Sequence, residues 1–560
     1  MFDELLITQL TVGPGRSPGG TKQKIELSGL TVFVGPNNSG KSLALSEIHR
    51  YGSPMPGESW QIVLDPEFTA LSADEAEEFL RTFEMDPAAP NLHPGHIHFR
   101  VRTGSQQVSR SHVQNALQNP KSQPAIFRTC YIANTTINLN GETRLQLCTP
   151  KPWGDLLKPD PFNSLQVLFT REDLRKDVRE ILHRAFAKYF IIIPTTQGVL
   201  RVALADRAPV GIYEEQGLHG EARSYYAGAQ PIEQFSDGVK AYTGTIIEIL
   251  AGNPRVILID EPEAFLYPPL AQQIGGEISR IVSQSRKNVF ASTHSAHFVM
   301  GCLQSGAPVD IIRLTYKDGK ATARVLKNDE LAIMMRNPLL RSAGVINALF
   351  YECVVVTESD SDRAFYQEIN ERLLKYAPGR GIPNCLFLNA QNKQTTKQIT
   401  KPLRELGIPT ISVVDVDILK EGGKVWSGFL ESGFLPELDR NAFAISRDNL
   451  FARAKTLGLD LKQCGGISQF QKSDKEAADN LFDRLEQYGL FVVRGGELES
   501  WLKPLGATRH SPQWLISIFE KLGDDPSDPQ FVRPGEGDVW EFIDRMRSWF
   551  SNPGRKGMPD

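Results

Sequence analysis

The sequence Gly35-Pro-Asn-Asn-Ser-Gly40-Lys41-Ser42 sets the fold of the N-terminal half of the chain. It matches the pattern GxxxxGK[ST], follows the apolar run Leu30–Val34, and precedes a predicted helix. In this strand–loop–helix context, backbone N–H groups and the helix N-terminus cradle phosphates. Lys41 is expected to reach the β- and γ-phosphates and Ser42 to bind Mg²⁺. The sequence therefore predicts a nucleotide-binding α/β domain.

A second element of the nucleotide site lies near residue 260. The apolar residues 256–259 predict a buried strand that ends in Asp260 and Glu261. Asp260 is expected to hold Mg²⁺ through water, and Glu261 to position or polarise the attacking water. From about residue 230 to 300 the predicted order is helix, strand, helix, strand.

In the C-terminal half, acidic residues follow short apolar runs. Strands are predicted at residues 353–356, 385–388, 410–414 and 490–493, mostly separated by helices, which is typical of a parallel sheet. The acids that follow these strands are Glu358, Asp362, Asp415, Asp417, Glu497 and Glu499. Ligands bind beyond the carboxyl ends of parallel strands, and so many carboxylates would repel one another without cations. The pattern predicts a Mg²⁺ or Mn²⁺ site suited to two-metal phosphodiester cleavage.

The N-terminal motifs resemble those of ABC-type ATPases. Phe235-Ser236-Asp237-Gly238 resembles their signature motif, and His294 resembles their switch histidine, while His297 is interpreted as a structural neighbour. The sequences of these motifs are similar to those of the OLD family (overcoming lysogenization defect). The resemblance implies a head-to-tail dimer in which ATP lies between one protomer's phosphate loop and the other protomer's Ser236 and Gly238. The expected nucleotide-binding residues are Gly35, Asn37, Asn38, Ser39, Gly40, Lys41, Ser42, Ser236, Gly238 and Asp260.

The acidic pattern of the C-terminal half resembles the Toprim domain, which follows the ATPase in OLD relatives. The resemblance implies that Glu358 is the general acid/base or a metal ligand, and that Asp415 and Asp417 bind metal. Asp362 and Glu499 match the extra acidic positions of OLD-type Toprim, and Glu497 is a weaker candidate. The implied catalytic set is Glu261, His294, Glu358, Asp415 and Asp417, and the implied metal ligands are Ser42, Asp260, Glu358, Asp362, Asp415, Asp417 and Glu499.

The chain departs from the family pattern at two places. Ser359 replaces a glycine after the glutamate, which could tighten the turn or shift Glu358. Phe265 and Tyr267 stand where OLD relatives usually have histidines, which alters the expected contacts between protomers. Lys472 and Lys503 could steady a phosphate, although surface lysines are commoner.

The predicted fold class is α/β: an ABC-type P-loop ATPase domain followed by a Toprim (parallel-sheet) domain. The predicted boundaries are 1–345 for the ATPase domain, with an insertion at about 52–165, then 346–505 for the Toprim domain and 506–560 for a helical C-terminal extension. Ser72 is predicted to cap a helix, with Glu75 as its capping-box partner. Residues 171–190 predict an amphipathic helix whose basic face, with Arg175 and Arg179, is either solvated or a nucleic-acid contact.

Bulk composition constrains the class of protein. At 560 residues, the chain is longer than a single hydrophobic core usually supports, so two or three domains are expected. The 41% hydrophobic and 23% charged contents are those of a soluble globular protein. The net charge of −4 neither supports nor excludes a nucleic-acid partner. Six scattered cysteines without a CxxC pair predict reduced thiols, and the absence of a signal or a long apolar run predicts a cytoplasmic protein without membrane contact. His93, His96 and His98 offer a conceivable metal site, although no nearby cysteine or carboxylate completes it.

These expectations combine into an ATP-binding and ATP-hydrolysing, Mg²⁺- or Mn²⁺-dependent DNA endonuclease that forms a homodimer or a higher oligomer. The resemblance alone implies a role in bacterial anti-phage defence, with a defence-system partner protein or a retron reverse transcriptase and its non-coding RNA. Two alternatives stay open. One is an ATP-dependent DNA clamp or sensor with a non-cleaving Toprim domain, and the other is a nuclease that cleaves tRNA or other RNA.

Overall fold

The computed structural model describes residues 5–13, 15, 20–52, 60–85, 93–101, 104–154, 163–196, 198–317, 319–326, 331, 337, 338, 340, 343–463, 465–507 and 513–559. The chain divides into two compact units, Met1–Ala332 and Ile333–Asp560. The predicted C-terminal extension, residues 506–560, belongs to the second unit.

The first unit combines several sheets with helices. Its strands are β1 (Ile7–Val12), β2 (Gln23–Glu26), β3 (Leu30–Val34), β4 (Val63–Phe68), β5 (His96–Val101), β6 (Gly104–Ser109), β7 (Thr136–Leu139), β8 (Lys151–Pro152), β9 (Tyr189–Thr196), β10 (Val199–Ala205), β11 (Gln230–Pro231), β12 (Val256–Asp260), β13 (Asn288–Ser292), β14 (Asp310–Lys317) and β15 (Lys320–Leu326). Its α-helices are Lys41–Tyr51, Ala73–Phe83, Arg110–Gln118, Pro124–Ile126, Ala133–Thr135, Gly141–Gln146, Ser164–Thr170, Glu172–Phe186, Ile212–Gln216, Gly220–Ala227, Asp237–Ala251, Pro268–Gln284 and Ala296–Gln304.

A six-stranded sheet of order β15-β14-β3-β13-β12-β7 positions the nucleotide motifs. Strands β14, β3, β13, β12 and β7 run parallel, and only β15 is antiparallel. The residues of β3 and β13 are all buried, as expected for parallel strands that are covered on both faces. The phosphate loop after β3, Asp260 at the end of β12 and His294 after β13 therefore lie at the same edge of the sheet.

The range predicted as an insertion, about 52–165, contains a strand of the six-stranded sheet. Strand β7, which lies inside that range, pairs in parallel with β12 and forms an edge of the six-stranded sheet. Its four residues, Thr-Ile-Asn-Leu, are too few and too polar to be recognised as a sheet strand from their pattern. The last part of the range is therefore a component of the nucleotide-binding sheet.

Two local predictions in the first unit can be compared directly with the structure. The capping box is confirmed, because the Glu75 N–H donates to Ser72 Oγ and the Ser72 N–H donates to Glu75 Oε2 at 2.8 Å. The amphipathic helix is confirmed over Glu172–Phe186, but both readings of its basic face are wrong for Arg175 and Arg179. Both guanidinium groups bind Glu215, and the Arg175 side chain is 2% exposed.

The second unit is built on the predicted parallel sheet. Its strands are β16 (Cys353–Thr357), β17 (Cys385–Asn389), β18 (Thr410–Asp415) and β19 (Leu490–Val493), in the order β17-β16-β18-β19, and all neighbours are parallel. Its α-helices are Ala343–Ile346, Asp360–Tyr376, Lys393–Glu405, Gly423–Ser432, Glu437–Thr456, Lys472–Glu486, Gln513–Leu522 and Asp538–Ser551.

Alternate residues of this sheet enter two different cores. On one face, Val413 and Val493 pack in a cluster that also contains Trp514, Trp540 and Trp549 from the C-terminal helices. On the other face, Val414 belongs to a second cluster, formed largely by the long connection between β18 and β19. This alternation is the two-residue period of a strand. The C-terminal tryptophans thus pack inside the second unit.

Two further sequence predictions concern membranes and thiols. Within the described ranges, no helix has both the length and the apolar character needed to cross a bilayer. Cys130, Cys148, Cys302, Cys353 and Cys385 are free thiols, while Cys464 lies outside the described residues.

Candidate active sites

The phosphate loop wraps around the Lys41 ammonium group. Lys41 Nζ donates hydrogen bonds to the carbonyl oxygens of Gly35 and Pro36, at 2.9 and 2.8 Å. Gly35 is required here, because its φ is 145° and a Cβ would lie 2.0 Å from the Leu314 carbonyl oxygen. Burial lowers the pKa of Lys41 to about 8, against the opposing effect of Asp260. The loop therefore holds a buried cation at the N-terminus of the helix Lys41–Tyr51.

The remaining loop residues differ in exposure. Asn37, Asn38 and Ser42 are exposed, Ser39 is buried, and Gly40 is half-buried with φ 96° as the N-cap of the following helix. Ser42 Oγ donates to Asp260 Oδ1 at 3.4 Å, and the Ser292 hydroxyl donates to the same oxygen. The hydroxyl and the carboxylate that were predicted to share Mg²⁺ are thus neighbours.

The residues after β12 form an acidic turn beside His294. Glu261 is exposed and has φ 50°, and its Oε1 lies 4.0 Å from His294 Nε2. Burial and the nearby charge of Lys41 lower the pKa of His294, so its imidazole is neutral at physiological pH. Glu263 is half-buried: its Oε1 accepts the His294 N–H at 2.9 Å, and its buried Oε2 has no hydrogen-bond partner among the described residues. No motif in the sequence points to Glu263.

Arg144 is a second residue near this turn that the sequence analysis missed. It lies in the helix Gly141–Gln146 after β7, and it is 1% exposed. Its guanidinium group donates to the carbonyl oxygens of Glu261 at 2.8 Å, Pro262 at 3.0 Å and Asp260 at 3.4 Å. Because Glu261 has a positive φ, we expect these bonds to fix the turn that presents its carboxylate.

We expect Arg144→Ala to lower the rate constant of ATP hydrolysis by about tenfold while nucleotide affinity stays close to that of the unchanged protein. The reason is that the carbonyls of the acidic turn lose their donor and the turn relaxes. Arg144→Lys should restore the rate only in part, because an ammonium group cannot replace the planar fork. A loss of affinity with an unchanged rate constant would contradict this positioning role.

The signature-like motif begins the helix Asp237–Ala251. Ser236 is exposed at its N-cap position, and its side chain makes no cap hydrogen bond. Gly238 is buried, and a Cβ there would lie 2.6 Å from the Phe265 carbonyl oxygen. Phe265 and Tyr267 are themselves 53% and 59% exposed. The motif thus presents an exposed hydroxyl that does not cap its own helix, and its glycine packs against the backbone of Phe265.

In the second unit, carboxylates converge at the carboxyl edge of the parallel sheet. Glu358 follows β16, Asp415 ends β18, and Asp417 lies in the short 3₁₀ helix that follows. One ligand oxygen of each lies within 4.8 Å of the others, and we call these three residues the acid triad. Glu358 Oε1 accepts the Asp415 N–H at 2.9 Å, which fixes its orientation. Asp417 Oδ1 is buried and lacks a hydrogen-bond partner among the described residues.

The other predicted metal ligands lie around the acid triad. Asp362 Oδ2 accepts hydrogen bonds from the Ser359 N–H at 2.9 Å and from Ser359 Oγ at 2.8 Å, so this oxygen caps the helix Asp360–Tyr376. Burial raises the pKa of Asp362, and the nearby charge of Glu499 adds to the effect. Burial, Glu499 and Asp417 raise the pKa of Glu497 in the same way. Three of the six acids, Glu358, Asp415 and Asp417, lie close enough to share one ion.

Ser359, which departs from the family pattern, is the residue that caps this helix. We expect Ser359→Ala to lower the free energy of unfolding of the second unit by about 1 kcal/mol, because the capping box is lost. Ser359→Gly, which introduces the family residue, should cost only a few tenths of that. Urea unfolding followed by circular dichroism measures both values, and equal losses for the two variants would contradict a capping role.

Two lysines contact the acid triad, and they are not the two that the sequence analysis considered. Lys462 Nζ lies 2.7 Å from Asp415 Oδ2, and Lys393 Nζ lies 2.5 Å from Asp417 Oδ2. Lys472 and Lys503 are exposed. The position of Lys462, 47 residues from Asp415 in sequence, carried no local signal.

Burial raises the pKa values of Glu358 and Asp415. The charge of Asp417 raises the pKa of Glu358 further, and the charge of Glu358 raises that of Asp415. The folded protein therefore holds protons that the unfolded chain releases near their ordinary pKa values. By linkage, we expect the stability of the second unit, measured in EDTA, to fall as the pH rises from about 5 to about 8. Divalent cations should offset this loss because they replace the protons. A flat stability profile across this range would contradict the raised pKa values.

The histidine cluster does not form a comparable group. The rings of His93 and His96 lie 5.7 Å apart in a T-shaped arrangement, and His98 lies further along strand β5. Within the part of the chain that the structure describes, the acid triad is the one group of three or more potential metal ligands.

Comparisons with known proteins bear on the first unit. Residues 176–300 match the family model described as "AAA domain, putative AbiEii toxin, Type IV TA system". The first unit carries an ATPase domain. The matched range contains Ser236, Asp260 and His294, whereas the phosphate loop precedes it. None of the curated proteins searched matches the sequence.

Several solved structures align with the chain at low identity. An Smc head bound to the C-terminal winged-helix domain of ScpA is 15% identical, with 58% of this chain and 99% of that chain covered and a TM-score of 0.34. The SMC head domain from Thermotoga maritima is 12% identical, with coverages of 58% and 100% and a TM-score of 0.28. A protein titled RNase-L Inhibitor is 11% identical, with coverages of 59% and 44% and a TM-score of 0.24.

Proposed function

We propose that this protein is an ATP-binding and ATP-hydrolysing, divalent-metal-dependent DNA endonuclease whose second unit is a Toprim domain. The observation that carries the proposal is the acid triad, in which Glu358, Asp415 and Asp417 bring ligand oxygens within 4.8 Å at the carboxyl edge of a parallel sheet. The ATPase domain of the first unit supports the ATP-dependent part. A cytoplasmic role in bacterial anti-phage defence, with a defence-system protein or retron components as partners, remains part of the proposal. The family description, which names a putative toxin, is compatible with it.

The residues of the second unit fit a hard divalent cation. Carboxylate oxygens are the preferred ligands of Mg²⁺ and Mn²⁺, and Asp417 Oδ1 is a buried acceptor that no described donor satisfies. Glu358, Asp415 and Asp417 would hold the ion, with Asp362 and Glu499 as further ligands for a second one. Asp362 Oδ1 is then the available oxygen, because Oδ2 caps a helix. In the first unit, Ser42 and Asp260 would hold the Mg²⁺ that accompanies ATP.

The bound cation supplies charge neutralisation for the phosphodiester and for the leaving oxygen. Glu358 would act as the general acid/base or as a metal ligand, because its carboxylate lies beside those of Asp415 and Asp417. Its orientation is fixed by the bond from the Asp415 N–H. Asp415 and Asp417 would bind and orient the cation. Asp415 ends β18 and Asp417 follows it, so both carboxylates lie at the carboxyl edge of the sheet.

In the first unit, Glu261 would position the attacking water, with the neutral His294 imidazole beside it as a donor to the γ-phosphate. Ser236 and Gly238 would complete the nucleotide site of a second protomer. The exposed Ser236 hydroxyl and the exposed aromatic rings of Phe265 and Tyr267 support a surface that meets another copy of the chain. Head-to-tail homodimerisation on ATP is therefore part of the proposal.

The experiment that tests the proposal is incubation with plasmid DNA and Mg²⁺ or Mn²⁺, with and without ATP. We expect metal-dependent breakage that changes with ATP. If ATP promotes DNA binding but no breakage occurs, the protein is a DNA clamp or sensor rather than a nuclease. Cleavage of tRNA but not of plasmid in parallel reactions would keep the chemistry and change the substrate.

A further inference from the structure

Each aspartate of the acid triad is held by its own lysine. Lys462 Nζ contacts Asp415 Oδ2 at 2.7 Å, and Lys393 Nζ contacts Asp417 Oδ2 at 2.5 Å. The two aspartate side chains are 13% and 15% exposed, so both carboxylates are largely shielded from water. The lysines come from separate elements: Lys393 begins the helix Lys393–Glu405, and Lys462 lies in the connection between β18 and β19.

The backbone at both lysines is fixed. Gly496, with φ 125°, approaches the Lys462 carbonyl so closely that a Cβ would lie 2.6 Å from it. The neighbouring Ile467 N–H donates to the Arg494 carbonyl at 3.0 Å, which ties this connection to the end of β19. Lys393 follows Asn392, whose side chain caps the helix. Only the flexible side chains of the lysines are therefore free to change partner.

Each lysine also has a second acid within reach. Lys462 Nζ lies 3.9 Å from Glu497 Oε2, and Lys393 Nζ lies 3.6 Å from Glu421 Oε1. A short side-chain movement thus exchanges one carboxylate for another without leaving either ammonium group unpaired. Breaking the pair at an aspartate is therefore much cheaper than removing the lysine would be.

We propose that Lys462 and Lys393 compete with a divalent cation for Asp415 and Asp417, and that binding of the cation moves their ammonium groups to Glu497 and Glu421. The inference rests on the metal site of the proposed function. An ammonium group and a metal ion cannot share the same carboxylate oxygen at full strength, and their like charges repel in a shielded site. The two lysines thereby set the metal concentration at which the acid triad is filled.

The test is calorimetric titration of the full-length protein with MnCl₂ in the absence of nucleotide. The heat of Mn²⁺ binding that is seen with the unchanged protein but not with Asp415→Asn is assigned to this site. We expect Lys462→Met and Lys393→Met each to tighten Mn²⁺ binding by about tenfold, because one competing ion pair is removed. Lys462→Arg, which keeps the positive charge, should bind Mn²⁺ nearly as weakly as the unchanged protein. Lys455→Met, at an exposed lysine of the same unit, is the matched control and should change nothing.

Each result decides a different claim. Equal Mn²⁺ affinity in the Met variants and the unchanged protein would overturn the competition, and so would an equal gain in Lys462→Arg. If none of the binding heat depends on Asp415, the acid triad does not bind Mn²⁺, and the proposed nuclease function would be contradicted as well. Thermal melts in EDTA establish that each variant is folded, and the two Met variants, on separate elements, test the competition independently.

Discussion

Asp415→Ala is expected to reduce plasmid cleavage by at least about 10³-fold, which corresponds to about 4 kcal/mol in the activation barrier. Asp415 belongs to the acid triad, and its backbone N–H also orients Glu358, which the substitution leaves in place. The loss should therefore be one of metal and phosphate charge neutralisation. Gel analysis of nicked and linear plasmid over time, in Mn²⁺ and in Mg²⁺, measures the rate.

The controls for this variant separate chemistry from folding. Asp415→Asn keeps the size of the side chain and should be equally inactive, because an amide cannot supply the negative charge. Asp524→Ala removes an exposed carboxylate of the same unit and should cleave like the unchanged protein. ATP hydrolysis should persist in all three variants. Cleavage by Asp415→Ala at more than about a tenth of the normal rate would remove this residue from the catalytic set.

Lys41→Ala is expected to lower ATP hydrolysis by about 10³-fold, since no other group of the phosphate loop can replace its ammonium charge at the γ-phosphate. In the structure this ammonium group is held by the carbonyls of Gly35 and Pro36, ready to be reoriented by phosphate. Release of inorganic phosphate measures the rate. The same variant should lose whatever effect ATP has on plasmid cleavage.

Lys121→Ala, at an exposed lysine of the first unit, is the matched control and should hydrolyse ATP normally. Cleavage by Lys41→Ala that still responds to ATP would show that the nucleotide acts elsewhere. Hydrolysis that survives in Lys41→Ala would remove the phosphate loop from the ATPase site.

The features that the sequence predicted well are those encoded in local patterns. The phosphate loop, the apolar strand before Asp260 and the four short strands of the second unit each combine a buried apolar run with polar residues at its end. Such runs have few other stable arrangements, and parallel strands bring their carboxyl ends to one edge. The closeness of Glu358 to Asp415 and Asp417 follows from that topology.

The features that the sequence analysis missed depend on contacts between distant residues. Arg144 reaches a turn 118 residues later, and its side chain differs in no local way from any other arginine near a helix start. Arg175 and Arg179 looked like a solvated or nucleic-acid-binding face because their shared partner, Glu215, lies beyond the next two strands. The two lysines that contact the acid triad, Lys393 and Lys462, were missed for the same reason.

The central claim is that the acid triad binds a divalent cation. Crystals soaked in MnCl₂ and measured at the manganese absorption edge test it most directly, because the anomalous signal locates the ion. We expect a peak in contact with the carboxylates of Glu358, Asp415 and Asp417. Manganese peaks elsewhere on the protein, with none between these three side chains, would contradict the account.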